Sequence, residues 1–183
     1  SRIMFPLISS VDEFVEAREV VQECMKQLDD RGVSYNRDTK LGIMVELPSA
    51  VALVEDLAHE VDFMSIGTND LIQYMLAVDR TNEMVSKLYL SHHPAILRAI
   101  ERVAAVARSH RTDVSICGDI ARDAKMIPFL LGAGITKFSI APRRIPEIQE
   151  AVQSVSMEKA VYTARQMLGF SRISEVESFL YST

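Results

Sequence analysis

Tryptophan is absent, and cysteine is nearly so: Cys24 and Cys117 are the only two in 183 residues. They stand far apart, without Cys-x-x-Cys spacing, and no His-x-x-x-His pair or His/Cys cluster accompanies them. A disulfide framework and a zinc site are therefore disfavoured, and a reducing cytoplasm is the default compartment. A basic excess is also missing. Lys and Arg number 20 against 25 Asp and Glu, giving a net charge of −5 and a pI near 5.4. That balance argues against nucleic acid or an anionic membrane as a general partner. No apolar run approaches the ~20 residues that span a bilayer. The start, Ser1-Arg2-Ile3-Met4-Phe5, lacks a charged-then-apolar leader and opens almost directly into a strand. Such an abrupt opening is expected of a piece cut from a longer polypeptide. Internal repeats, low-complexity tracts and flexible linkers are missing too.

What is present is a chain with 48% hydrophobic residues, enough for one domain with a substantial core. Short apolar runs alternate with amphipathic stretches. Strands are expected at Ile3–Ile8, Leu41–Val45, Phe63–Ile66, Val114–Ile116 and Phe138–Ile140. A helix to about Asp30 opens with Ser10 and Glu13 as a capping box and stops at Gly32. Pro48 suits the first turn of a helix to about His59, and another runs from about Leu71 towards Val78-Asp79-Arg80. His92-His93-Pro94 leads into a helix to about Ser109, whose Ile96, Ile100, Val103 and Val106 have core spacing. A helix over roughly Ala124–Leu131 precedes a turn marked by Gly132 and Gly134. Gly169 is the expected break in the helical remainder, and Ser174 the expected cap of the last helix. His59 and His110 fall near helix ends, where an imidazolium complements the dipole.

Repeated βα units imply a mostly parallel sheet. Periodicity does not separate an open doubly wound sheet from part of a (β/α)8 barrel. Length does constrain it, because a complete barrel takes about 250 residues.

The polar residues follow one placement. Glu46 follows the second strand, Asn69 and Asp70 the third, Cys117, Gly118 and Asp119 the fourth, and Arg143-Arg144 the fifth. Parallel α/β folds bind ligands at the C-terminal ends of their strands, so these groups are expected to converge. Glu46 and Asp70 are hard oxygen donors suited to Mg²⁺; each also suits a helix cap. Asn69 can donate to a carboxylate or phosphate, or serve as ordinary turn chemistry. Arg80 offers a bidentate fork for such an anion, or a solvated partner for Asp79 or Glu83. Residue type alone makes Cys117 a small buried hydrophobe. An ordinary pKa of about 8.5 also leaves its thiol protonated and able to donate.

Three stretches carry a resemblance: GIMVELPSA, DFMSIGTNDLIQYMLAVDR and SICGDIARD. Together they resemble the phosphoenolpyruvate-utilising enzymes, and most closely the phosphoenolpyruvate–protein phosphotransferases, enzyme I of the bacterial phosphotransferase system. The nitrogen-related paralogue is one subtype the pattern admits. The match runs from RIMFPLI over nearly the whole chain. The resemblance implies that residues 1–183 are the C-terminal portion of a phosphoenolpyruvate-binding TIM barrel, roughly its last five βα units. By position it makes Glu46 and Asp70 the Mg²⁺ ligands, Asn69 and Arg80 substrate-binding groups, and Cys117 the acid that protonates the enolate. It implies phosphoryl transfer from phosphoenolpyruvate to a histidine on another domain, release of pyruvate, a downstream histidine phosphocarrier and a homodimer. The isolated chain is expected to be inactive. Asp119 departs from the family's usual Glu, which leaves its role open. Pyruvate phosphate dikinase, phosphoenolpyruvate synthase or a non-catalytic dimerisation module are the alternatives.

Overall fold

Alternation along each strand sets the two faces of the sheet, and pairing order sets its closure. The computed structural model describes residues 1–181. Its strands are β1 (Arg2–Phe5), β2 (Lys40–Val45), β3 (Phe63–Gly67), β4 (Asp113–Cys117) and β5 (Phe138–Ser139). All pair in parallel, in the spatial order β1-β2-β3-β4-β5. A doubly wound sheet reverses its order at a switch point, whereas a barrel adds each unit beside the last. The architecture is α/β, a partial (β/α)8 barrel.

The helices are α1 (Val11–Asp30), α2 (Pro48–Ala52), α3 (Val54–Glu60), α4 (Thr68–Leu76) and α5 (Pro94–His110). They continue as α6 (Ile127–Ala133), α7 (Ile145–Gln153), α8 (Met157–Gly169) and α9 (Ile173–Tyr181). Ile43, Val45, Met64, Ile66 and Ile116 form the sheet face in the common helix-packed core, and all are fully buried. Each such side chain contributes about 1.5–3 kcal/mol relative to exposure. On α5, Ile96, Ile100 and Val103 are buried and Val106 partly so, as their spacing predicts.

The opposite, inner face carries smaller and more polar residues. In register, Gly42, Phe63 and Asp113 make its lowest layer, Met44, Ser65 and Ser115 the next, and Gly67, Cys117 and Ser139 the uppermost. Arg2 clasps the base, reaching across β2 and β3 to Asp113 at 2.8 Å with its guanidinium 4.9 Å from the Phe63 ring centre. Lys137 binds the same carboxylate.

Several boundaries differ from the sequence expectation. β1 stops at Phe5, because Pro6 lacks an N–H and Leu7 turns into the left-handed region at φ 54°. The expected helix from Pro48 is two, broken at Leu53, so that Ala50 and Val51 bury with Val54, Leu57 and Ala58. α4 begins at Thr68 and ends at Leu76, where Ala77 adopts a left-handed cap and Val78 donates back to the Gln73 carbonyl. Gly132 lies inside α6, facing Ala160 and Ala164 of α8, and only Gly134 marks the turn. Ser174 sits in the first turn of α9 and does not cap it; the Arg172 carbonyl accepts from Glu175 and Val176 there. Ser10 does cap α1, and Glu13 reaches back chiefly to the N–H and hydroxyl of Ser9, with the Ser10 N–H a weaker partner. The lead-in to α5 holds as expected, with His93 Nδ1 accepting from the Ala95 N–H. His59 and His110 pack edge to face, 4.3 Å between ring centres, at the ends of α3 and α5.

Candidate functional site

Three adjacent strand ends build the site. At the end of β2, Glu46 is only 3% exposed. Its Oε1 accepts from the Leu7 N–H at 2.8 Å, a donor freed by the early stop of β1. Gly67 leaves room beside it, since a Cβ there would lie 2.8 Å from Glu46 Oε2 and 2.7 Å from Met44 Sδ. Burial pushes the Glu46 carboxyl above its ordinary value. The Leu7 hydrogen bond opposes that rise, while the charge of Asp70 and a hydrogen bond with it add to it.

β3 runs directly into α4, so Thr68, Asn69 and Asp70 form the first helical turn. Asp70 therefore complements the helix N-terminus while facing Glu46. Glu46 caps nothing: the N-cap of α2 is Leu47, which makes no side-chain hydrogen bond. Thr68 Oγ1 donates to the Cys117 carbonyl at 2.7 Å, and Asn69 Oδ1 accepts from the Asp119 N–H at 2.8 Å. These two bonds stitch the start of α4 to the end of β4. They also commit the Asn69 oxygen and leave its NH₂ group available to donate. Gly118 permits both, at φ 88°; a Cβ there would sit 2.4 Å from Thr68 Oγ1 and 2.6 Å from Asn69 Oδ1.

Cys117 is half-buried on the inner face. Its Sγ lies 3.5 Å from the Ile66 carbonyl oxygen and 4.0 Å from Ser65 Oγ. Burial raises the thiol pKa, the Ser65 contact opposes this, and the charges of Glu46 and Asp70 raise it further. The thiol is thus held protonated, and three residues remote in sequence interact electrostatically.

Arg80 lies past α4 in a turn, with its N–H donating to Gln73 Oε1. Among the described residues it forms no ion pair with Asp79 or Glu83; Asp79 instead accepts from the N–H and Oγ1 of Thr81. Sequence reasoning missed two neighbours. Tyr89 sends its hydroxyl to the Asn69 carbonyl, 3.4 Å away, and Arg122 pairs with Asp119 at 2.7 Å. The single aromatic residue of the 81–91 connector was the available signal for Tyr89. The pairing gives Asp119 a place: its N–H orients Asn69 and its carboxylate holds Arg122. A cleft of about 210 Å³ opens beside these groups, bounded by Asn69, Asp119, Arg122, Ser139, Arg143 and Arg144.

The family model described as "PEP-utilising enzyme, PEP-binding domain" matches residues 1–157. The chain belongs to the PEP-utilising enzymes. Its curated relatives include the phosphoenolpyruvate-protein phosphotransferase of Bacillus subtilis strain 168, 41% identical over 182 residues. That alignment covers 100% of this chain and 32% of the relative. The phosphoenolpyruvate-protein phosphotransferase of Mycoplasma capricolum is 40% identical over 166 residues, covering 91% of this chain and 29% of the relative. The chain thus spans under a third of the length of these relatives. A crystal structure of a citrate lyase from Burkholderia xenovorans shares the fold, with a TM-score of 0.59 at 19% identity. It covers 99% of this chain and 61% of that one.

For a PEP-utilising enzyme the donor set can be weighed against a cation. No group of three or more His, Cys, Asp and Glu side chains among the described residues is arranged to hold a metal. Mg²⁺ does not require one, because it takes one or two carboxylates and fills its octahedron with water and substrate oxygens. Glu46 and Asp70, mutually repelling and partly desolvated, fit that need. No helix among the described residues is long and apolar enough to cross a membrane.

Proposed function

We propose that this chain is the C-terminal portion of the barrel domain of a cytoplasmic phosphoenolpyruvate–protein phosphotransferase, forming one wall of its Mg²⁺-phosphoenolpyruvate site. The observation that carries this reading is the convergence of Glu46, Asp70 and Cys117 at neighbouring strand ends: Cys117 is in register with Gly67, Glu46 Oε2 crowds Gly67, and Asp70 follows it in the first turn of α4. Glu46 and Asp70 would hold Mg²⁺, which when bound neutralises phosphate charge. The Asn69 amide and the Arg80 guanidinium orient the anionic substrate. As the P–O bond of phosphoenolpyruvate breaks, a P–N bond forms to a histidine on another domain of the parent chain. The enolate left behind takes the Cys117 Sγ proton at carbon and becomes pyruvate. A histidine phosphocarrier then accepts the phosphoryl group, and the parent enzyme works as a homodimer. The names of the aligned relatives favour this enzyme over pyruvate phosphate dikinase or phosphoenolpyruvate synthase.

Calorimetric titration with Mg²⁺-phosphoenolpyruvate tests the wall directly. Binding by the chain, abolished in both Glu46→Ala and Asp70→Ala, is the expected result; unchanged binding in both variants would remove the metal assignment. Mixed with phosphoenolpyruvate and Mg²⁺, the chain alone should acquire no phosphoryl group. Stoichiometric phosphorylation would overturn the placement of the acceptor histidine elsewhere.

A further inference from the structure

Arginine gathers on one side of Asn69. Arg122 ends the 3-10 turn Ile120–Arg122 that follows β4, and Arg143 and Arg144 lie on the turn Pro142–Arg144 between β5 and α7. All three line the cleft of about 210 Å³, with Asn69, Asp119 and Ser139 beside them. Glu46, Asp70 and Cys117 are not among the described residues that line it. It is thus a second hollow at the strand ends, sharing Asn69 with the proposed wall.

Charge in this hollow opposes that of the chain. The protein carries −5 overall, yet the lining sets three guanidiniums against a single carboxylate, Asp119. Asp119 holds one arm of Arg122 at 2.7 Å, and Glu147 holds one arm of Arg144. A guanidinium has several N–H donors, so each pair fixes its arginine and leaves further donors unused. Fixing them in advance lowers the ordering cost of binding. Arg143 forms no ion pair among the described residues, and the Ser139 hydroxyl, at the top of the inner face, finds no hydrogen-bond partner among them. The Asn69 oxygen is committed to the Asp119 N–H, which leaves its NH₂ to donate. Donors converge here with few acceptors to meet them. Size narrows the occupant: sites for drug-sized molecules run to about 300–1,000 Å³, so this smaller cleft suits one compact oxyanion. Arginine forks match phosphate oxygens in pairs.

We propose that this cleft is a phosphate-binding site separate from the Mg²⁺ wall, taking free inorganic phosphate. Arg122 and Arg144 stand preset, Arg143 closes on the anion, and Asn69 and Ser139 donate to its remaining oxygens. That the adjoining wall binds phosphoenolpyruvate rests on the function proposed above; the phosphate site does not.

Inorganic phosphate is titrated into this chain without Mg²⁺, by calorimetry and by ¹⁵N amide spectra. Saturable one-to-one binding is expected, with shifts concentrated at the amides of Gly118, Asp119 and Ser139. Arg143→Ala should bind roughly tenfold more weakly, the scale of one hydrogen bond to a charged group. Arg165→Ala, at an exposed arginine of α8 outside the cleft, should bind as the original chain does. No saturable binding, or equal weakening in both variants, would overturn the proposal, the second by revealing general attraction of anions to surface arginines. Mg²⁺-phosphoenolpyruvate is then added to the phosphate-saturated chain and should bind without releasing the phosphate. Mole-for-mole displacement would make the cleft one end of a single substrate site and overturn its separateness. Phosphate binding in a chain that ignores phosphoenolpyruvate upholds the site and counts against the functional reading alone.

Discussion

Replacing Gly118 with alanine should damage the candidate site more than its size suggests. Gly118 has φ 88°, and a left-handed L-residue costs about 1–2 kcal/mol. The new Cβ would also lie 2.4 Å from Thr68 Oγ1 and 2.6 Å from Asn69 Oδ1, closer than real Cβ contacts come. Relief requires loosening the Thr68–Cys117 and Asn69–Asp119 hydrogen bonds, each of which contributes about 1 kcal/mol. Thr68 is fully buried, so its displaced hydroxyl finds no water in exchange. The expected loss is about 3–4 kcal/mol. Gly32→Ala is the control: φ there is 66°, but nothing lies within 4 Å of the added carbon. Its cost should be the backbone penalty alone, about 1 kcal/mol. Urea unfolding of both variants measures the difference, and amide exchange at Asp119 reports the broken bond directly. Equal losses in the two variants, with Asp119 still protected, would show that Thr68 and Asn69 are not locked against Gly118.

Cys117 should alkylate more slowly with iodoacetamide at pH 8 than the exposed Cys24 on α1, because burial holds its thiol protonated. Asp70→Asn removes one of the opposing charges and should speed Cys117 alone; residue-resolved mass spectrometry showing equal rates and no response would refute the electrostatic link. At the base of the inner face, hydrogen bonding from Lys137 and then Arg2 holds Asp113 below its ordinary value of 3.8, against its partial burial. The stability this supplies is present above that ordinary value and is lost as pH falls through the lower folded-state value. Asp113→Asn should therefore cost about 1 kcal/mol at neutral pH. The gap should close in acid, and a gap independent of pH would rule out the ion pairs as its cause.

What the sequence makes legible follows from period and position. Alternating βα patterns located all five strands, and strand ends named Glu46, Asn69, Asp70 and Cys117, which the structure brings together. Pairing order was not legible, because parallel strands meet through contacts remote in sequence. Local competition set the boundaries: Pro6 cut β1 short, and Gly132 was taken into α6 by packing on Ala160. The missed contributors act through features a side-chain reading overlooks. Leu7 supplies only an N–H, Gly67 only space, and Tyr89 a hydroxyl that reaches back 20 residues to Asn69.

Helix capping was the bland account of both carboxylates, and the structure separates them. Asp70 sits in the first turn of α4, where any acid is favoured. Glu46 lies outside that explanation: its partner Leu7 is 39 residues away, and its own helix goes without a side-chain cap. Burying one carboxylate beside another opposes folding, since desolvation and repulsion both disfavour the charged pair. One N–H from Leu7 does not offset this, as the raised Glu46 pKa records. A cation held between the two carboxylates would relieve the conflict. A costly arrangement kept at the mouth of a barrel is what a functional site looks like. The same charges explain why the thiol beside them stays protonated: the pair that would hold a cation also keeps Cys117 an acid.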